Sequence, residues 1–280
     1  MKEIHYAQIV STVRNLCIQA NTQLSPDLQQ AICGAEEQEP SPVGKAILGD
    51  LEENFRFAAE KNLPICQDTG MAVVFCRLGQ DVQIIGGLLS DAVNQGVALG
   101  YTEGHLRCSV VADPLRRENT GNNTPAVLHL ELVQGDELEI TVAPKGFGSE
   151  NMTKLNMFNP SATREDIVAF VTDCVKAAGA NPCPPIVVGV GLGGTSEQAA
   201  LLAKKALLRP VNETSEDPFY AGMEAEMKER INALGIGPQG LGGRTTALAV
   251  AILAAPTHIA GLPCAVNLGC HVTRHASITL

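Results

Sequence analysis

Seven irregular stretches, most of them rich in Gly, Pro, Asn or Asp, constrain the fold of this chain more than any other feature. They are LPICQDTGM at 63–71, LRCS at 106–109, RRENTGNNTP at 116–125, KGFGSENM at 145–152, NPCPP at 181–185, GIGPQGLGG at 235–243 and HIAGLPCAVNLGCHVTRHA at 258–276. Each adjoins a predicted strand or helix end. No repeat, low-complexity tract or flexible linker is found, and irregular loops of this kind on a rigid scaffold are where sites usually sit.

Between these stretches the periodicity is mixed. Residues 4–35 read as amphipathic helix, and a second helix starts near Ser41, with Ile47, Leu51, Phe55 and Ala58 on one face, and ends at Asn62 to Pro64. A strand is predicted over 71–77 and a hairpin over 126–144. In that hairpin Leu138, Ile140 and Val142 alternate with Glu139 and Thr141 after a QGDE turn. Helices are predicted at about 162–179, 196–208 and 217–234, with buried strands at 186–190 and 246–254. The mixture predicts an α/β or α+β body, its mixed β-sheets flanked by helices.

At 280 residues the chain suits one large domain or two intimate ones. We read it as one functional unit over 1–280, helical over about 1–62 and site-bearing over about 63–280. Hydrophobic residues are 45% of the chain but aromatics only 4%, with no Trp, so small aliphatic side chains must fill the core.

A formal charge of −10 argues against a nucleic-acid partner, and no basic cluster offsets it. An anionic substrate would therefore need a few well-placed local cations. No apolar run reaches the roughly 20 residues that cross a bilayer, and no signal-like N-terminus is present, so a cytoplasmic protein without a membrane partner is expected.

The nine cysteines are an odd number scattered along the chain, which reads as reduced thiols. Cys66, Cys183 and one of Cys264 or Cys270 stand out because they sit in loops. A lone loop cysteine is far more often a small hydrophobe than a ligand. Wide spacing excludes zinc-ribbon and ferredoxin patterns but is compatible with an iron-sulfur cluster held at three corners. Such a cluster would leave one iron open as a Lewis acid.

Other candidates each have a plain alternative. KGFGSENM offers Lys145 and successive backbone amides as an anion nest, or a tight turn after the hairpin. Arg107 suits bidentate carboxylate binding, or a surface ion pair. Asp68, two residues after Cys66, suits substrate positioning, or a turn. His258 reads most simply as a satisfied core histidine. Gly189, Gly191 and Gly194 spell GxGxxG after an apolar strand, the context of a dinucleotide site, but the expected acidic residue falls in the polar loop NETSED.

Taken as a set, CQDTG, LRCS, NTGNNTPA, KGFGSENM, NPCPP with GVGLGGTS, GIGPQGLGG and CHVTRHA resemble the N-terminal, cluster-binding part of class I fumarate hydratases and the related L-tartrate dehydratases. The motifs run in order from about residue 60 to the C-terminus. The resemblance implies a [4Fe-4S] cluster held by Cys66, Cys183 and Cys270, with Gln67, Asp68, Arg107, Gly148 and His258 facing the substrate, Asp68 and His258 in catalytic roles. KGFGSENM is the fumarase-like form of its segment, which favours fumarate and malate over tartrate. Single-chain members of the family continue into a smaller second domain carrying the catalytic base. The resemblance therefore implies a separate beta subunit and a higher oligomer such as a heterotetramer.

Overall fold

A computed structural model describes residues 2–280. The elements in chain order are β1 (Lys2–His5), α1 (Tyr6–Thr22), α2 (Pro26–Gln38), α3 (Pro42–Lys61), β2 (Met71–Gly79), β3 (Val82–Ile85), α4 (Leu89–Glu103), β4 (Val127–Val133), β5 (Leu138–Lys145) and α5 (Phe147–Glu150). There follow β6 (Lys154–Phe158), α6 (Arg164–Ala178), β7 (Ile186–Gly193), α7 (Ser196–Ala206), α8 (Pro218–Ala233), β8 (Ala247–Ala255), β9 (Leu262–Gly269) and β10 (Ala276–Thr279). Mixed parallel and antiparallel sheets with flanking helices give the α/β class that the patterning predicts. Among the described residues, no helix is long and apolar enough to cross a membrane.

The helix predicted over 4–35 is two helices, because Pro26 cannot continue α1 yet suits the first turn of α2. Two later helices are capped by their own side chains. Thr163 and Asp166 form a reciprocal capping box at α6, and the Asp217 carboxylate accepts the Phe219 N–H at α8.

Contacts divide the chain into two compact units. The first holds the chain up to Ser25, Phe55–Phe147 and Arg274–Leu280; the second holds Pro26–Asn54 and Gly148–Thr273. The sheet of the first unit runs β10-β5-β2-β4. This corrects the predicted hairpin: β4 and β5 are not neighbours, because β2 lies between them, parallel to β4 and antiparallel to β5. The reason lies in β2 itself, whose run from Ala72 to Cys76 is buried throughout and is best satisfied as a central strand. The QGDE segment bonds instead to the end of β2, with Gly79 N–H donating to the Glu137 carbonyl at 2.8 Å and Asp81 N–H to Gly135 at 3.0 Å. Ile9, Val13 and Leu16 of α1, Val93, Val97 and Tyr101 of α4, and Ile140 and Val142 of β5 share the core of this unit.

In the second unit the sheet runs β6-β9-β7-β8, with β7 and β8 parallel. Every residue of β7 is buried, as a strand covered on both faces must be. The GxGxxG glycines find their use here. Gly189 and Gly191 lie inside β7 rather than in a turn, where a Cβ would come within 2.1 Å of the Ala203 carbonyl oxygen and 2.0 Å of that of Ala199. They let α7 lie directly on the strand; only Gly194 sits in the turn before α7, so the first two glycines do not form the tight turn of a dinucleotide loop.

Candidate functional site

In the first unit the site is built around CQDTG, the loop from α3 to β2. Polar bonds from distant segments fix it. Thr69 exchanges bonds with Arg107: the Arg107 N–H donates to Thr69 Oγ1 at 2.9 Å, and that hydroxyl donates to the Arg107 carbonyl at 3.1 Å. The Tyr101 hydroxyl, fully buried, donates to the Thr69 carbonyl at 2.8 Å. Burial, reinforced by the nearby Cys17, holds the Tyr101 phenol far above its usual pKa, so it stays a donor.

Buried Asn123 completes the frame. Its Nδ2 donates to the Gly70 carbonyl at 3.0 Å, while its Oδ1 accepts the N–H groups of Ser109 and Val110 at 2.7 and 3.1 Å. Asp68 spends its carboxylate on the backbone: Oδ1 accepts the Gly70 N–H and Oδ2 the Phe147 N–H, both at 3.0 Å. The carboxylate thereby joins CQDTG to KGFG. Cys66 is half-buried beside Gln67, and Gln67 and Arg107 expose their side chains. Lys145, for which the sequence allows an anion nest or a turn, is a buried residue at the end of β5, opposite Met71.

In the second unit NPCPP and CHVTR meet. The His271 N–H donates to the Cys183 carbonyl at 3.3 Å, and Gln239 donates from its backbone and side-chain nitrogens to the Pro184 carbonyl at 2.7 and 2.8 Å. Cys183 adopts a φ of 55°, a left-handed conformation that costs a residue with a Cβ of the order of 1 kcal/mol. Its thiol is exposed and that of Cys270 half-buried. Gly148 lies beside NPCPP, where a Cβ would come within 3.2 Å of the Asn181 carbonyl oxygen. The loop of GIGPQGLGG is drawn together by Glu39, whose carboxylate accepts the N–H groups of Ser41, Arg244 and Thr245. Burial alone would raise the Glu39 carboxyl, but these bonds outweigh it and hold it below its usual pKa of 4.5.

The thiols sort by environment. Cys17, Cys76 and Cys264 are buried, and burial pushes each up to about 12, far from the thiolate a metal requires. Cys174 is pushed up to about 11. The cysteines of NPCPP, CQDTG and GCHV sit on accessible loops instead. Cys66 belongs to the first unit, Cys183 and Cys270 to the second. Among the described residues no three His, Cys, Asp or Glu groups gather as a metal site. Cys108 in LRCS is likewise a half-buried loop thiol, so accessibility narrows the candidate thiolates to a few loop positions, Cys66, Cys183 and Cys270 among them, and their soft sulfur donors are of the type an iron-sulfur cluster takes.

His258 is exposed on the loop after β8, not in a core as its apolar sequence context suggests. Its Nδ1 accepts the Ala260 N–H at 3.1 Å, so the neutral ring carries its proton on Nε2. Asn123, Thr69, Tyr101 and Glu39 escaped the sequence reading. Their role is to bond distant backbone, which no local pattern reveals, although Thr69 and Asn123 do fall within the singled-out stretches at 63–71 and 116–125.

The chain is thus an α/β protein whose first unit gathers a half-buried thiol, an amide and a carboxylate on the Cys66 loop, tied to the segment of Arg107, and whose second unit carries loop thiols at Cys183 and Cys270. A family model for fumarate hydratase (Fumerase) matches residues 10–279, and the chain accordingly belongs to the fumarate hydratase family, as a hydro-lyase. A protein of Methanocaldococcus jannaschii, provisionally named L(+)-tartrate dehydratase subunit alpha, is 40% identical over 275 residues, covering 96% of both chains. The L(+)-tartrate dehydratase subunits alpha of Escherichia coli and Shigella sonnei are 32% and 31% identical, each over 97% of this chain and 90% of its own.

Proposed function

We propose that this chain is the alpha subunit of a two-chain hydro-lyase that reversibly hydrates fumarate to (S)-malate. The observation that supports this most is the sorting of the thiols, which keeps Cys66, Cys183 and Cys270 among the reachable loop sulfurs, with Cys108, while Cys264 is sealed in β9; the family resemblance selects the three from that set. These three thiolates would hold a [4Fe-4S] cluster. When bound, it supplies a Lewis acid at the iron that lacks a thiolate, easing departure or addition of the hydroxyl.

The chain's own residues bind and orient. Arg107, exposed and held by its backbone to Thr69, grips one substrate carboxylate with its planar fork. Gln67 and the backbone at Gly148 add polar contacts, and His258 offers its Nε2–H. Asp68 acts by position, keeping the KGFG segment against the Cys66 loop through its two N–H bonds. The proton at carbon needs a base, and the motifs shared with the family supply none, so a separate beta chain brings it. The alpha-subunit names of near-full-length relatives support this division.

Those same names favour a second reading, loss of water from L(+)-tartrate. The KGFGSENM segment favours fumarate. Assay of the cluster-loaded chain anaerobically, alone and with its partner, on both substrates separates the readings. Fumarate hydration should appear only with the partner, and turnover of tartrate alone would transfer the assignment. Cys183→Ser and Cys270→Ser should abolish most iron uptake while Cys264→Ser keeps it; normal iron in the Cys183 variant would remove the ligand set.

A further inference from the structure

Arg274 follows Cys270 by four residues and is 5% exposed. Its Nη2 donates to the main-chain carbonyl of Asp68, and its Nε and Nη1 are buried without a partner. Among the described residues no carboxylate forms an ion pair with it. The nearest acid in the bonding network, Asp68, has committed both carboxylate oxygens to the N–H groups of Gly70 and Phe147. The phenol of Tyr101, close enough to feel the guanidinium charge, stays protonated and so cannot neutralise it.

Arginine does not shed its proton in proteins, so this is a buried permanent cation with unused donors. Burial of a charge without an opposite charge is costly, and native interiors normally answer it with an anion. No side chain provides one here. The guanidinium is tied to the loop that begins with Cys66, which points to an anion bound at that loop.

We infer that Arg274 is a positioning residue of the hydro-lyase: it clamps the Cys66–Asp68 loop through the Asp68 carbonyl and neutralises the anionic group bound there. This rests on the proposed function above. The shared chemistry is an anion beside the loop, either the thiolate-bound cluster, whose net charge is negative, or a carboxylate of the substrate.

The test uses the holoenzyme, assembled anaerobically with its partner chain, and compares wild type with Arg274→Met and Arg274→Lys. Arg274→Met should leave the melting temperature of the cluster-free protein unchanged or higher, since it removes an unanswered buried charge. In the loaded enzyme it should either make the cluster's reduction potential more negative or raise KM for the dicarboxylate about tenfold or more, the loss of one charge-assisted contact. A shifted potential with unchanged KM identifies the cluster as the anion, and a raised KM with unchanged potential identifies the substrate. Arg274→Lys, which keeps the charge, should restore most of either effect. Where the Met variant fails to fold, Arg274→Gln reads the same quantities with a donor retained. Wild-type potential and KM in a folded neutral variant would overturn the inference, as would a loss confined to melting temperature. Wild-type protein that takes up no iron would instead overturn the proposed function.

Discussion

The two units fix their loops with different chemistry. In the first, neutral groups carry most of the load beside the single carboxylate of Asp68: the Asn123 amide and the Thr69 and Tyr101 hydroxyls bind the backbone of CQDTG and LRCS. In the second, carboxylates do the equivalent task. Glu39 gathers three backbone N–H groups, and Glu224, 3% exposed, accepts the N–H of Ser215 and the outward N–H of Ile252 on edge strand β8 while pairing with Arg209 at 2.7 Å. Neutral anchors hold at any pH at which the backbone is intact, whereas carboxylate anchors require ionisation. The difference predicts that acid loosens the second unit's anchors first.

Three substitutions sharpen or break this contrast. The largest effect is expected from Glu224→Gln, which strands the largely buried Arg209 guanidinium and weakens two backbone bonds. Loss of one partner from a buried ion pair costs about 3 to 5 kcal/mol, to be read from denaturant unfolding. A cost near zero would mean that water reaches this pair and that charge anchoring is not what holds β8.

Next comes Asn123→Ala, which deprives the N–H groups of Ser109 and Val110 of their partner and leaves the Gly70 carbonyl with the Tyr101 hydroxyl alone. About 2 to 3 kcal/mol is expected, since each buried group left unsatisfied is expensive. The decisive feature is constancy: the loss should be equal at pH 7 and pH 4.5. A loss that shrinks in acid would erase the distinction between the units.

The smallest effect belongs to Glu39→Gln, about 1 to 2 kcal/mol at neutral pH, because glutamine keeps one acceptor oxygen. Its folded-state carboxyl lies below 4.5, so the stabilisation is full above that value and disappears as pH falls through the lower folded-state pKa. The wild-type advantage over the variant should therefore vanish at acid pH. Amide hydrogen exchange at Ser41, Arg244 and Thr245 reports it directly, and a pH-independent difference would show that shape rather than charge is at work.

The amphipathic periodicity of α1, α3, α6, α7 and α8 is written locally, and the sequence reading finds each within a few residues apart from the Pro26 break. Helix α4 is different. Gly96 and Gly100 dilute its apolar stripe, yet they are what admits α1, since a Cβ at Gly96 would come within 2.6 Å of Val13 Cβ. The property that hides the helix from a pattern search is the property that packs it. Strands β1, β3, β6, β9 and β10 are likewise short or lie inside irregular stretches, and only their partners define them.

Of the candidate site, the sequence supplied the loops and the residue types that chemistry of this kind needs: thiols at Cys66, Cys183 and Cys270, a fork at Arg107, a carboxylate at Asp68. Such choices are legible because loops, turns and donors are properties of short segments. The environment of each residue was not legible. Cys264 and Cys270 stand six positions apart in one glycine-rich stretch, and only the sheet seals the first inside β9 and leaves the second beyond its end. Strand order was decided the same way. The turn between β4 and β5 allows a hairpin, but the demand of β2 for two partners and burial on its apolar run outweighs that local preference. Local propensity is fixed by neighbours in the chain; burial, protonation and strand order are fixed by neighbours in space, which only the folded molecule specifies.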